Sequence, residues 1–181
     1  MNINSARIIV RAAYFAGEKH RNQRRGDIEE TPYINHPLEL ASILVEEGQI
    51  DDVDVICAAL LHDTIEDTNT SYDELVNQFG ISIAKIVLEV SNDMSLDPAL
   101  RKSRELESIQ SLSNAAKLVK LADKIANIRD VSTMPPVGWS LDRKKAYFDF
   151  ALKIVDQAKD VSPLLYKIFL KDYRCLNIGE I

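Results

Sequence analysis

The pair His62-Asp63 closes an apolar run, VDVICAALL, and Thr-Ile-Glu66-Asp67 follows at once. An imidazole and a carboxylate at the end of such a run need a partner, because uncompensated buried charge is costly. Two further residues suit the same site: His36 in YINHP and Asp123 in KLVKLADK. Singly, each has an ordinary structural explanation; Asp123, for example, has Lys120 and Lys124 as neighbours for an ion pair. Together His36, His62, Asp63 and Asp123 supply two imidazoles and two carboxylates, a mixed N/O donor set suited to a divalent transition metal. Such an ion acidifies water and polarises a phosphoryl oxygen. Glu66 and Asp67 follow the ligand pair closely enough to orient that water or take its proton.

A complementary group lies upstream. Lys19, His20, Arg21, Arg24 and Arg25 make a local basic patch in a chain whose formal net charge is −6. The overall balance argues against non-specific nucleic-acid binding. The patch suits one small polyanionic ligand, since arginine makes bidentate phosphate contacts and stacks on bases. It leads through a short loop into YINHP, so it should lie near the metal. Lys124 and Asn127 flank Asp123, and Asp123, Asn127 and Asp130 share a helical face at i, i+4 and i+7. Arg143 and Tyr147 share a face of a later helix, whereas Trp139 reads as a packing residue. There is no GxSxG elbow, P-loop or GxGxxG fingerprint, and neither Cys57 nor Cys175 has an activating partner or metal spacing.

The elements that position these residues read as helices. The 181 residues, 46% of them hydrophobic, with six Gly and six Pro, suit one compact all-α domain over 1–181. Apolar periodicity predicts helices over 4–22, from Pro37 to Glu47, over 52–63, 81–91, 100–112, 114–131 and 162–173. Ser71-Tyr-Asp-Glu74 matches a capping box for a short helix to Phe79, ended by Gly80. Ser140 caps a long helix to about Val161. Residues 23–35, 64–70 and 92–99 read as loops, and helix 100–112 as charged and exposed. No signal-peptide pattern stands at residues 1–16 and no stretch has transmembrane length, so a cytoplasmic protein is expected.

The phrases KHRNQRR, TPYINHP, AALLHDTIEDT, AKLVKLADK and GWS…R…YF, in this order and spacing, resemble the HD-type hydrolase domain of the RelA/SpoT family, in its single-domain alarmone-hydrolase form, over about residues 5–150. The resemblance implies an HD-domain bundle of about eight to ten helices holding Mn²⁺. It carries the ligand role onto His36, His62, Asp63 and Asp123, and water activation onto Glu66 and Asp67. It implies hydrolysis of guanosine tetra- or pentaphosphate at the 3′ position, giving GDP or GTP and pyrophosphate. Arg25 matches the base-stacking position, with Arg24 or Lys124 offsetting phosphate charge, and Asn127, Arg143 and Tyr147 match positions near ribose and phosphates. Many members carry a basic residue after the stacking arginine, where this chain has Gly26. Some relatives prefer adenosine alarmones or remove the NADPH 2′-phosphate. The expected partner is therefore a small nucleotide, with no nucleic acid or membrane, and homo-oligomerisation is left open. A nucleotide sensor without turnover is the rival outside the enzymes, and the Glu66-Asp67 pair argues against it.

Overall fold

A computed structural model describes residues 3–178, with side chains to Arg174. Its centre is the apolar run itself. Asp52 caps it by accepting from the Asp54 and Val55 amides, and residues 55 to 61 are all buried. This helix, α3 (Val53–Leu61), packs against α1 (Ile3–Lys19), α2 (Asn35–Ser42), α6 (Ile81–Val90) and α8 (Asn114–Thr133). Between α3 and α6 lie a single helical turn, α4 (Thr64–Asp67), and α5 (Tyr72–Phe79). The chain then continues through α7 (Pro98–Ser108), α8, α9 (Leu141–Ala158) and α10 (Pro163–Ile178). The only β pairing among the described residues is an isolated bridge between Arg24 and Pro32. The fold is thus all-α, as the periodicity predicts.

Several boundaries follow from capping chemistry. The Ser71 hydroxyl accepts from the Glu74 amide, the Ser113 hydroxyl from Ala116, and the Ser140 hydroxyl from Arg143. Asp97 accepts from Ala99 and Leu100, which starts α7 at Pro98, earlier than its charge pattern suggests. Two segments depart from the sequence reading. The helix after Pro37 passes at Ile43–Glu47 into a π-helical turn. Residues 64–67, read as part of a loop, form α4 instead. That turn is made by polar groups rather than by an apolar stripe: Asp67 N–H donates to Asp63 carbonyl, and the Thr64 hydroxyl to Leu61 carbonyl. Cys57 is buried in α3 and burial pushes its thiol up to about 12, which leaves it a small hydrophobe. The Cys175 side chain lies outside the described residues. Among the described residues, no helix is long and apolar enough to cross a membrane.

Candidate active site

Three helices deliver the donors. His36 sits in the first turn of α2, His62 at the end of α3, and Asp123 midway along α8. Their ligand atoms lie within 4.8 Å of one another, and all three residues are buried. The two imidazole rings meet edge to face at 5.2 Å. His62 Nδ1 is 2.9 Å from the Ala59 carbonyl, which fixes the ring and turns Nε2 into the site. Asp123 Oδ1 lies 3.3 Å from His36 Nε2 and accepts from Asn127 Nδ2 at 2.5 Å. Asp63 stands outside this tight triad but beside it, its Oδ2 2.8 Å from His62 Nε2. The same oxygen accepts the Tyr33 hydroxyl proton.

His36 Nδ1 and His62 Nε2 are buried without any hydrogen-bond partner. For His62 this holds despite the nearby Asp63 oxygen, because proximity there comes without hydrogen-bond geometry. Buried polar nitrogens are rarely left unpaired. Two imidazoles and two carboxylates crowded together, with His62 Nε2 orphaned and His36 Nε2 facing Asp123, fit a divalent cation as the missing partner. His20 Nε2 is a third such atom, but it lies outside the cluster against the Tyr33 ring. The electrostatics match crowding of this kind. Burial opposes charge on His62, yet Asp63 and Asp123 outweigh it and push its pKa up to about 9. Burial and the neighbouring His62 push His36 down. Burial works against the ionised forms of Asp63 and Asp123, but His62 holds the first, and Lys124 and His36 the second, below the ordinary range.

Glu66 lines the same cavity as the ligands. Its Oε1 accepts from the Asn92 backbone N–H at 2.6 Å and the Asn92 side-chain amide at 3.1 Å. Burial, with Asp63 nearby, raises its pKa above the ordinary carboxylate value. Asp67, on the outer side of the turn, is exposed and accepts from Gln23 Nε2 at 2.8 Å. Gln23 in turn bonds buried His20 at 2.6 Å.

A second cavity of about 400 Å³ adjoins this one and shares Arg25, Tyr33, His36 and Asn127 with it. Its far end is apolar and aromatic, with Val131, Met134, Pro136 and Trp139. Arg24, Arg25, Asn127 and Tyr147 line it. Arg25 lies over the Tyr33 ring at 5.7 Å and pairs with Asp130 at 2.6 Å. Lys124 lines the metal cavity. Arg143 is exposed over the Trp139 ring at 4.5 Å and lines neither cavity, because its capped position in the first turn of α9 points it to solvent. Trp139 packs half-buried against Tyr147 at 5.4 Å and forms part of the cavity wall. Tyr33, Gln23 and Asn92 were not assigned from sequence. Tyr33 lies within the TPYINHP phrase, while nothing in the residues around Asn92 signals its bond to Glu66.

An all-α bundle with His, His-Asp and Asp donors on three packed helices defines a class of metal-site fold, and the sequence pattern of the HD domain matches residues 12–146. The chain belongs to the HD-domain family. It is 50% identical over 155 residues to guanosine-3′,5′-bis(diphosphate) 3′-pyrophosphohydrolase MESH1 of Danio rerio, covering 86% of each chain. It is 48% identical over 147 residues to the protein of that name from Homo sapiens, covering 81% of this chain and 82% of that one. A solved structure described as a metazoan orthologue of SpoT that hydrolyses ppGpp superposes with a TM-score of 0.90 at 39% identity. It covers 93% of this chain and 94% of the other.

Proposed function

We propose that this chain is a metal-dependent 3′-pyrophosphohydrolase of ppGpp-type nucleotides, with Mn²⁺ as its ion. The observation that carries it is the meeting of two buried imidazoles, His62 with its Nε2 orphaned, with Asp123, beside a cavity that joins Arg25 to an aromatic wall. The relatives' names and their cover of nearly the whole chain support the substrate class. His36, His62, Asp63 and Asp123 are the proposed ligands. When bound, the ion supplies Lewis acidity and offsets phosphate charge. Tyr33 holds Asp63 in place by its hydroxyl bond. Asn92 aims Glu66 at the cavity, and the raised pKa makes that carboxylate the better base for the attacking water. Asp67, fixed by Gln23, is the proposed second carboxylate of that step. Arg25 offers its planar face to the base, with Arg24 at the cavity rim, and Asn127 and Tyr147 face the ribose and phosphates. Burial pushes the Tyr147 hydroxyl up to about 12, so it stays a donor.

The test is product analysis by ion-exchange chromatography with Mn²⁺, using ppGpp, ppApp and NADPH and a chelated control. Metal-dependent GDP and pyrophosphate from ppGpp are expected. Turnover of ppApp alone would transfer the base specificity to the Arg24-Arg25-Gly26 loop. Phosphate from NADPH alone would make the chain a nucleotide phosphatase, and absence of any product would leave a binding protein.

A further inference from the structure

A second charged group walls the metal cavity, and of its members only Lys124 has so far been given a role, that of offsetting phosphate charge. Lys120 and Lys124 stand one turn apart on α8 and are both buried, at 7% and 8% exposure. Their ammonium groups bond the same atom: Glu105 Oε1 lies 3.2 Å from Lys120 Nζ and 3.0 Å from Lys124 Nζ. Lys124 Nζ also lies 2.9 Å from Asp123 Oδ2. Glu105 comes from α7, a helix with no buried residue, yet its side chain is only 10% exposed. A charged side chain turned inward from a surface helix, onto two buried cations, calls for a reason beyond stability, since desolvating such groups is costly.

The cavities give the reason. They run in series. The nucleoside-sized cavity shares Arg25, Tyr33, His36 and Asn127 with the metal cavity. The metal cavity shares Asn92, Glu105 and Lys124 with a third, of about 180 Å³, whose wall adds Arg101 and Lys102. The metal ligands therefore share their cavity wall with Lys120 and Lys124 and adjoin the aromatic-walled cavity through Arg25, Tyr33, His36 and Asn127. A nucleotide with its base at the aromatic end and its 3′-phosphorus at the ligands directs its terminal phosphate toward the lysines.

We propose that Lys120, Lys124 and Glu105 form the site that receives the departing pyrophosphate, with the Glu105 carboxylate standing between the two ammonium groups in place of a phosphate oxygen until the anion arrives. The identity of the anion rests on the 3′-pyrophosphohydrolase reading. In that hydrolysis the bond from O3′ to phosphorus breaks, the water oxygen bonds to that phosphorus, and a proton returns to O3′. The anion so formed has a free charged phosphoryl group at each end, where the diphosphate ester had one, and two buried lysines released from Glu105 are suited to hold it.

The test is calorimetric titration of inorganic pyrophosphate into the full chain, with Mn²⁺ in excess, and of orthophosphate as comparison. Glu105→Gln keeps the shape and removes the resident charge. A charge-assisted bond is worth enough to move affinity about tenfold, so pyrophosphate should bind E105Q about tenfold more tightly, and orthophosphate less so. A purely structural Glu105 would give unchanged or weaker binding in E105Q, and either result overturns the proposal. Lys120→Met combined with E105Q removes a cation together with its counter-charge, which protects the fold. The double variant should bind pyrophosphate about tenfold more weakly than E105Q. A double variant with native circular dichroism that binds as tightly as E105Q also overturns it. Neither titration needs nucleotide turnover, so a chain that released no GDP from ppGpp would sink the hydrolase reading while the pyrophosphate site was still read independently.

Discussion

Asp63 and Glu66 lie one helical turn apart, and their surroundings assign them different duties. Asp63 is pressed against His62 Nε2 at 2.8 Å and takes the Tyr33 hydroxyl, the setting of a ligand. Glu66 touches no imidazole; its partner is Asn92, the setting of a base. Asp63→Ala should therefore lose both metal and turnover. Glu66→Ala should keep its metal, measured by elemental analysis of the dialysed protein, and lose about 10²–10⁴-fold in kcat. Full turnover in both Glu66→Ala and Asp67→Ala would remove these carboxylates from the mechanism. The pH dependence refines this. Glu66 must be ionised to act, and its pKa lies above the ordinary value, so the acid limb of the kcat profile should fall at a higher pH than a free carboxylate would give. The Asn92 side-chain amide favours the ionised form. Asn92→Ala removes that bond and should move the acid limb further up in pH. A limb that stayed in place or moved down would show that Glu66 is not the group being titrated.

At the scale of elements, the legible parts were those in which one residue type has one strong local effect. Ser71 and Ser140 cap where the sequence places them, and the apolar stripes of α3 and α8 run where the periodicity predicts. Illegible parts depend on pairing across distance. The turn at 64–67 is held by Thr64 on the Leu61 carbonyl of α3 and by Asp67 N–H on the Asp63 carbonyl, so no periodic signal marks it. Glu105 reads as surface charge because its partners, Lys120 and Lys124, lie on another helix. Arg129 is a third case: it joins the π-helical turn to α10 by binding Glu47 at 2.6 Å and Asp172 at 2.7 Å. The Arg129 bond lowers the Glu47 pKa below its ordinary 4.5. A carboxylate with a lowered folded pKa stabilises the fold above its unfolded pKa, and that increment is lost as pH falls through the folded value. Glu47→Gln should thus lower the urea midpoint at pH 7 and converge on the parent chain in strong acid. An equal difference at both pH values would assign the effect to packing instead.

For the whole molecule, the proposed ligands come from α2, the end of α3 and α8, which are also the helices that meet at the core. A metal held there ties together segments far apart in sequence, so binding it is binding the folded state. An ion present at about a hundred times its Kd adds about 2.7 kcal/mol to stability. For a chain of this length each kcal/mol raises Tm by about 2–4 °C, so Mn²⁺ should raise the Tm of chelator-treated protein by about 5–10 °C. His36→Ala should abolish the rise, because it removes one of three mutually close donors. Asp67→Ala should keep it, because Asp67 is exposed and bonded to Gln23, away from the donor cluster. Differential scanning calorimetry on the three chains, with and without Mn²⁺, reads the site without any nucleotide. A rise that survived in His36→Ala would put the ion elsewhere, and loss of the rise in Asp67→Ala would draw that residue into the metal centre and out of the role of a base.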